Sequence, residues 1–220
     1  EVKNRIILGS RFHRDLVDRF QWRDRYSMDN GTMELVTPGI HGTAGNRVES
    51  ATALAKYLRA TLHFGDFTLT PGLRHENISF EYYDYGSSDL ERLAEGNYRI
   101  NNVSVLLPGV GLNYQVSRSL DVFTGVHRGF IPPGSNPETN PELSINSELG
   151  LRFSHRSVSA QLVIFSNNYS NLLGADLNAS GGTGSGDLFN GGSAIANGLE
   201  FELAADPFTD GPFDQISMPI

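Results

Sequence analysis

The chain contains no cysteine. That removes disulfide scaffolds, thiolate metal sites and cysteine nucleophiles together. It has no run of about 18 apolar residues, which excludes a transmembrane helix, and no secretory apolar stretch opens it. An excess of positive charge is also missing. Lys plus Arg number 17 against 25 Asp plus Glu, a net charge of −8 with a pI of about 5.2. A general nucleic-acid partner is therefore not expected. Lysine is scarce, only Lys3 and Lys56. Helical periodicity is nearly absent; residues 51–62 are Ala/Leu-rich but give no clean apolar stripe at a spacing of 3.6.

What is present is alternation with period 2, the signal of a strand with two different faces. In the opening segment the even positions carry Ile6, Leu8, Phe12, Leu16, Phe20 and Trp22, and the odd positions Arg5, Arg11, His13, Arg19, Arg23 and Arg25. No Gly, Pro or Asn interrupts residues 10–28, so one long strand over 2–26 is expected. Similar alternation predicts strands near 46–64, 67–83, 102–116, 119–130, 144–154, 157–168 and 193–204, and the final DQISMPI reads as the start of a ninth.

The connections alternate in length. Short ones fall at 65–66, 117–118, 155–156 and about 205–213; long polar ones at about 29–45, 84–101, 131–142 and 170–192. An antiparallel meander with every long loop at one end produces that order. A Greek-key sandwich would scatter its loop lengths over both ends.

Two solvents suit a half-apolar strand: the core of a soluble protein, or lipid. A sandwich turns its polar face to bulk water, where Lys and Glu dominate. Here that face holds Gly, Ser, Asn, Gln and Arg, the composition of a wide barrel interior with its apolar side outward. Phe64 and Phe67 beside the Gly65-Asp66 turn suit an interfacial aromatic girdle. The residues alone leave a soluble β-sandwich or β-propeller open beside the membrane barrel.

Catalytic signatures are weak. Gly109-Val-Gly111 starts a dinucleotide fingerprint that fails at Tyr114, and the Gly-rich stretch 181–186 lacks the Lys-Ser/Thr of a P-loop. Six histidines include no HxxxH or HExxH spacing. Glu200 and Glu202 lie two apart on one strand face and read as a solvated row rather than a glycosidase pair. No enzymatic activity, metal or cofactor is expected.

Four segments resemble barrel strands of TonB-dependent outer-membrane receptors, in collinear order: FGDFTLTPGLRHENI (64–78), LLPGVGLNYQVSRSLDVFTGVHRGFIPPG (106–134), NPELSINSELGLRF (140–153) and NGGSAIANGLEFELAADP (190–207). The combination is most similar to receptors of the ferric dicitrate type. The resemblance implies an all-β, antiparallel, up-and-down transmembrane barrel in the bacterial outer membrane. It implies a 22-stranded barrel, closed by an N-terminal plug, that imports an iron chelate with energy passed through TonB. Residues 1–220 would all be part of that barrel domain, about nine of its strands, and an internal piece of it. The plug and TonB box, through which the TonB complex would be met, are not found here. The remaining partners would be outer-membrane lipid and the iron chelate, carried as ligand. The competing expectations are a passive porin-like or adhesin barrel, and a soluble secreted β-sandwich that binds or cleaves glycans.

Under this reading Arg19, Arg23 and Arg25 face the lumen near one loop end, and Arg47, Arg99 and Arg128 lie near others. Arginines so placed suit an anionic chelate, which they bind through charge-assisted, often bidentate bonds. The bland alternative pairs them with carboxylates of the lumen wall such as Glu49, Glu148, Glu200 and Glu202, or with the plug.

Overall fold

A computed structural model describes residues 3–94, 96–177 and 186–205. Eight strands form one antiparallel sheet in the order β1-β4-β5-β6-β7-β8-β9-β12. They are β1 (Arg5–Gln21), β4 (Gly45–Phe64), β5 (Phe67–Asp84), β6 (Asn97–Ser117), β7 (Leu120–Ile131), β8 (Glu142–His155), β9 (Val158–Ser170) and β12 (Ser193–Ala205). Two ribbons decorate the long connections: β2 (Arg25–Asp29) with β3 (Thr32–Thr37), and β10 (Leu173–Ala175) with β11 (Leu188–Asn190). No helix occurs among the described residues. The sheet is open, with β1 and β12 as its edges. It holds eight strands where about nine were expected; the segment DQISMPI lies outside the described residues.

The single strand expected over 2–26 is corrected. β1 stops at Gln21, residues 22–24 are irregular, and Arg25 opens a separate hairpin. The chain reverses at Asn30-Gly31, both with positive φ (47° and 82°), the backbone of a two-residue type I′ turn. Arg14, Asp18 and Asp24 interrupt the apolar even row, but the row resumes at Tyr26 and Met28, so Asp24 did not stand out as a boundary. β6 also starts at Asn97, five residues earlier than expected. The short turns join β4 to β5 at Gly65-Asp66, β6 to β7 at 118–119 and β8 to β9 at 156–157. All three lie at one end of the sheet, and the long connections lie at the other.

Direct cross-strand partners share a face, so the registers sort every side chain. One row crosses the sheet through Phe64, Phe67, Tyr114, Val122, Leu151, Leu162 and Phe201. The row above it holds Leu62, Leu69, Leu112, Thr124, Leu149, Ile164 and Leu199. Phe67 stacks on Tyr114 at 4.4 Å between ring centroids, close to the turn end. Most apolar side chains of these rows are exposed, Phe64, Leu149, Ile164, Leu199 and Phe201 each by more than half, and Leu62, Leu69, Val122 and Leu162 are half-buried. Among the described residues no second sheet covers them, which removes the sandwich expectation.

Among the described residues of the sheet the buried apolar side chains, Ala55, Tyr82, Val103, Val105 and Val163, lie on the opposite face, the polar one. The exposed side of this sheet is thus its greasy side. The polar face is closed by large-on-small packing. Tyr57 covers Gly9, Phe123 covers Gly150 and Phe165 covers Gly198, each pair in direct register.

Candidate ligand-binding site

β4, β5 and β6 run 20, 18 and 21 residues, well beyond the apolar rows. On their polar face, at the end with the long connections, register sets Val17, Glu49, Tyr82 and Arg99 side by side. Arg47 is one step further along β4, opposite Arg19 on one side and Asp84 on the other. Two guanidinium groups therefore flank one ring. Arg99 sits 4.1 Å from the Tyr82 centroid and Arg47 sits 5.8 Å from it. Such contacts hold a cation by the ring's quadrupole while leaving the N–H edges of the guanidinium free for anions. Tyr82 is fixed by its hydroxyl, which donates to Asp84 Oδ2 at 3.2 Å.

Two long connections form a roof over this cluster. Asn101 on β6 donates to the carbonyls of Gly134 and Asn136, at 3.0 and 2.9 Å, and so pulls residues 132–141 inward. Residues 188–190 are tied to the first: Thr139 donates to Leu188 O, and the Asn190 side chain donates to Asn140 O. Leu173 N donates to the buried carboxylate of Glu142. The result is a cavity of about 240 Å³ bounded by Arg47, Glu49, Tyr82, Arg99, Pro133 and Asp187, among others. Arg47 Nε lies 2.6 Å from Glu49 Oε1, an ion pair without hydrogen-bond alignment. Arg99 holds the Asp187 carboxylate through both terminal nitrogens, at 2.6 and 3.3 Å. Its Nε is buried and has no hydrogen-bond partner among the described residues.

The six arginines singled out in the sequence separate. Arg47 and Arg99 come together around Tyr82, with Arg19 beside Arg47. Arg23 lies in the irregular stretch after β1, and Arg25 begins the β2–β3 hairpin. Arg128 pairs with Ile145 and lies on the apolar face, away from the cavity. Of the carboxylates that could neutralise the arginines, Glu49 does so for Arg47. The alternation that flagged the arginines did not flag Tyr82 or Asp187. Tyr82 meets Arg99 only through the register across the connection 85–96, and Asp187 belongs to a stretch that reads as loop.

The family profile described as TonB dependent receptor-like, beta-barrel matches residues 2–217. The chain belongs to this TonB-dependent receptor family. Among curated proteins no sequence relative matches. Solved structures of similar fold include the ferric citrate transporter FecA in its unliganded form, with a TM-score of 0.65 and 19% identity over 91% of this chain and 29% of FecA. The ferric-catecholate import receptor Fiu of E. coli K12 aligns with a TM-score of 0.67 and 16% identity, over 93% of this chain and 33% of Fiu. The siderophore receptor PiuA of Acinetobacter baumannii gives 0.70 and 14%, over 94% of this chain and 33% of PiuA. The chain spans about a third of the length of these receptors. Members of the TonB-dependent receptor family are transporters, not enzymes, and the sheet described here is a partial, unclosed barrel of that kind.

Proposed function

We propose that this chain is part of the wall of an outer-membrane transporter that captures an anionic ferric chelate and imports it with energy delivered through TonB. The apolar face meets lipid and the polar face lines the lumen. The observation that carries the reading is the inverted sheet: its apolar rows are largely exposed and the buried apolar side chains of its strands lie on the polar side. A barrel in lipid requires that arrangement, whereas in water so large an apolar face is a liability. On β6 the apolar positions from Leu106 to Val116 cover ten residues' rise, ~34 Å of strand, or ~26 Å of height at a tilt of about 40°. That matches a hydrocarbon band of about 25 Å.

The Arg47–Tyr82–Arg99 cluster lies on the lumen side above this band. Its two forks suit carboxylates, so a polycarboxylate complex such as ferric citrate fits better than a neutral ligand. The test uses cells that produce the whole receptor carrying this chain. They should bind radiolabelled ferric citrate and accumulate it, and dissipating the proton-motive force should stop accumulation while binding persists. Accumulation that survives the uncoupler would mark a passive channel instead.

A further inference from the structure

The two arginines beside Tyr82 are each answered by a carboxylate of the chain itself, and the two carboxylates are held very differently. Glu49 lies on the same strand as Arg47, two residues along, inside the sheet register. Its backbone is fixed by pairing with Val17 on one side and Tyr82 on the other. Asp187 lies outside the sheet, immediately before the three-residue ribbon strand Leu188–Asn190. Its backbone is tied to Asp176, whose N–H donates to Asp187 O at 2.9 Å, and Gly186 N–H donates back to Asp176 O at 2.9 Å. Asp187 reaches from this loop to grip Arg99 with both oxygens, over a ring that already stabilises the cation.

We infer that Asp187 is a built-in competitor for the ligand. Its carboxylate occupies the seat on Arg99 and Tyr82 that a carboxylate of the transported chelate takes, and the ligand must displace it to bind. The inference rests on the proposed chelate site and assigns that site its ligand class and its regulation. Three observations carry it. The bidentate grip is the geometry that a planar carboxylate selects on a guanidinium. Both terminal nitrogens of Arg99 are taken by Asp187 and its Nε is buried, so no accessible donor of the guanidinium is left to a second carboxylate while Asp187 stays. Charge also balances: Arg47 and Arg99 face Glu49 and Asp187, so an anion that enters replaces the charge that leaves. Displacement then loosens the backbone hydrogen bonds that join Asp176 to Gly186 and Asp187, and binding is transmitted to the roof.

The test is calorimetric titration of the intact, detergent-purified receptor with citrate, and separately with ferric citrate. Asp187→Asn removes the competitor and should bind about 3- to 10-fold tighter, the range expected for losing one partly exposed ion pair. Asp187→Glu keeps a competing carboxylate and should stay near wild type. Arg99→Gln should weaken binding and abolish the gain from Asp187→Asn when the two are combined. In the wild type, saturating citrate should speed hydrogen exchange at the amides of Asp176 and Gly186. That readout needs no variant to fold. Unchanged or weaker binding by Asp187→Asn, or slower exchange at those amides, overturns the competitor even where Arg99→Gln still weakens binding. Wild-type affinity in Arg99→Gln removes the chelate site itself, and the competitor with it.

Discussion

The ring of Phe123 lies over Gly150, its direct partner on the neighbouring strand, in the space that a β-carbon at 150 would occupy. Gly150→Ala should therefore force the ring aside and destabilise the sheet by about 1–3 kcal/mol, the usual cost of overpacking. Gly198→Ala should do the same against Phe165. Gly111→Ala is the control, because its nearest neighbour would be Thr124 O at an ordinary 3.9 Å. Thermal unfolding of the receptor, read by loss of gel-resistant fold, compares the three. Equal melting of Gly150→Ala and Gly111→Ala would refute the packing argument.

Leu151 and Phe201 share a register row on the apolar face. Arginine at either position should impair insertion, at ~2–4 kcal/mol near the bilayer midplane. Asn167 lies on the other face, between Asn146 and Ala196, and Asn167→Arg should insert normally. Folding yield into lipid vesicles measures the difference. Equal yields for all three would mean the apolar face does not meet lipid.

The placement of the arginines separates their effects on affinity. Arg99 grips a carboxylate in the cavity, whereas Arg128 lies on the opposite face beside Ile145. Arg99→Gln should weaken chelate binding about 10- to 150-fold, one charged hydrogen-bonding contact of roughly 1.5–3 kcal/mol. Arg128→Gln should leave it unchanged. Titration with ferric citrate distinguishes the two, and the reverse ranking would exclude the cavity as the site.

A second loop is held on the far side of the sheet. Asn46, 2% exposed, donates to the carbonyls of Gly86 and Asp89, and its own oxygen accepts from Arg92 Nε at 2.7 Å. Arg92 also grips Asp18 with both terminal nitrogens. Asn46→Ala should release the connection, raising exchange at Leu93 and Ala94 by roughly 5- to 150-fold, from the ~1–3 kcal/mol left by unpaired buried groups. The Asp18 hydrogen bond holds the Arg92 guanidinium above its usual pKa. A raised pKa on a cation gives stability that is present below the unfolded value and lost only as pH climbs through the folded one. Protection of the loop, corrected for intrinsic exchange, should therefore stay level up to about pH 10, well below an arginine's range. Loss of protection between pH 7 and 10 would show that another group holds the loop.

Strand identity and facing were legible because alternation directly records a sheet with two unlike faces. Leu149, Leu151, Phe201 and Leu203 fall on one face in the sequence and in the structure. The order of short and long connections gave the meander for the same reason. The site was half legible. Arg47 and Arg99 were flagged by charge and by nearness to loops, but what joins them is register. Tyr82 meets Arg99 across a connection of twelve residues, too long for turn geometry to set the pairing. The break after Gln21 was hidden because alternation continues into Trp22 and Arg23 with no Gly or Pro to stop it. Asn30-Gly31, the strongest hairpin signal in that region, reads as part of a polar loop unless the strands beside it are already suspected.

β6 is nine residues longer than its neighbour β7, and their pairing ends at Gly109 and His127. At ~3.4 Å per residue that is ~30 Å of additional strand. The mouth of such a barrel is a slope rather than a level rim, high along β4–β6 and low along β7–β9. Tyr82 and its arginines stand on the high side, and the spans that reach them rise from the low side. Under the proposed function, a chelate drifting in over the low side would meet the aromatic ring and its cations as a raised backboard, so that strand length would set the direction from which capture begins.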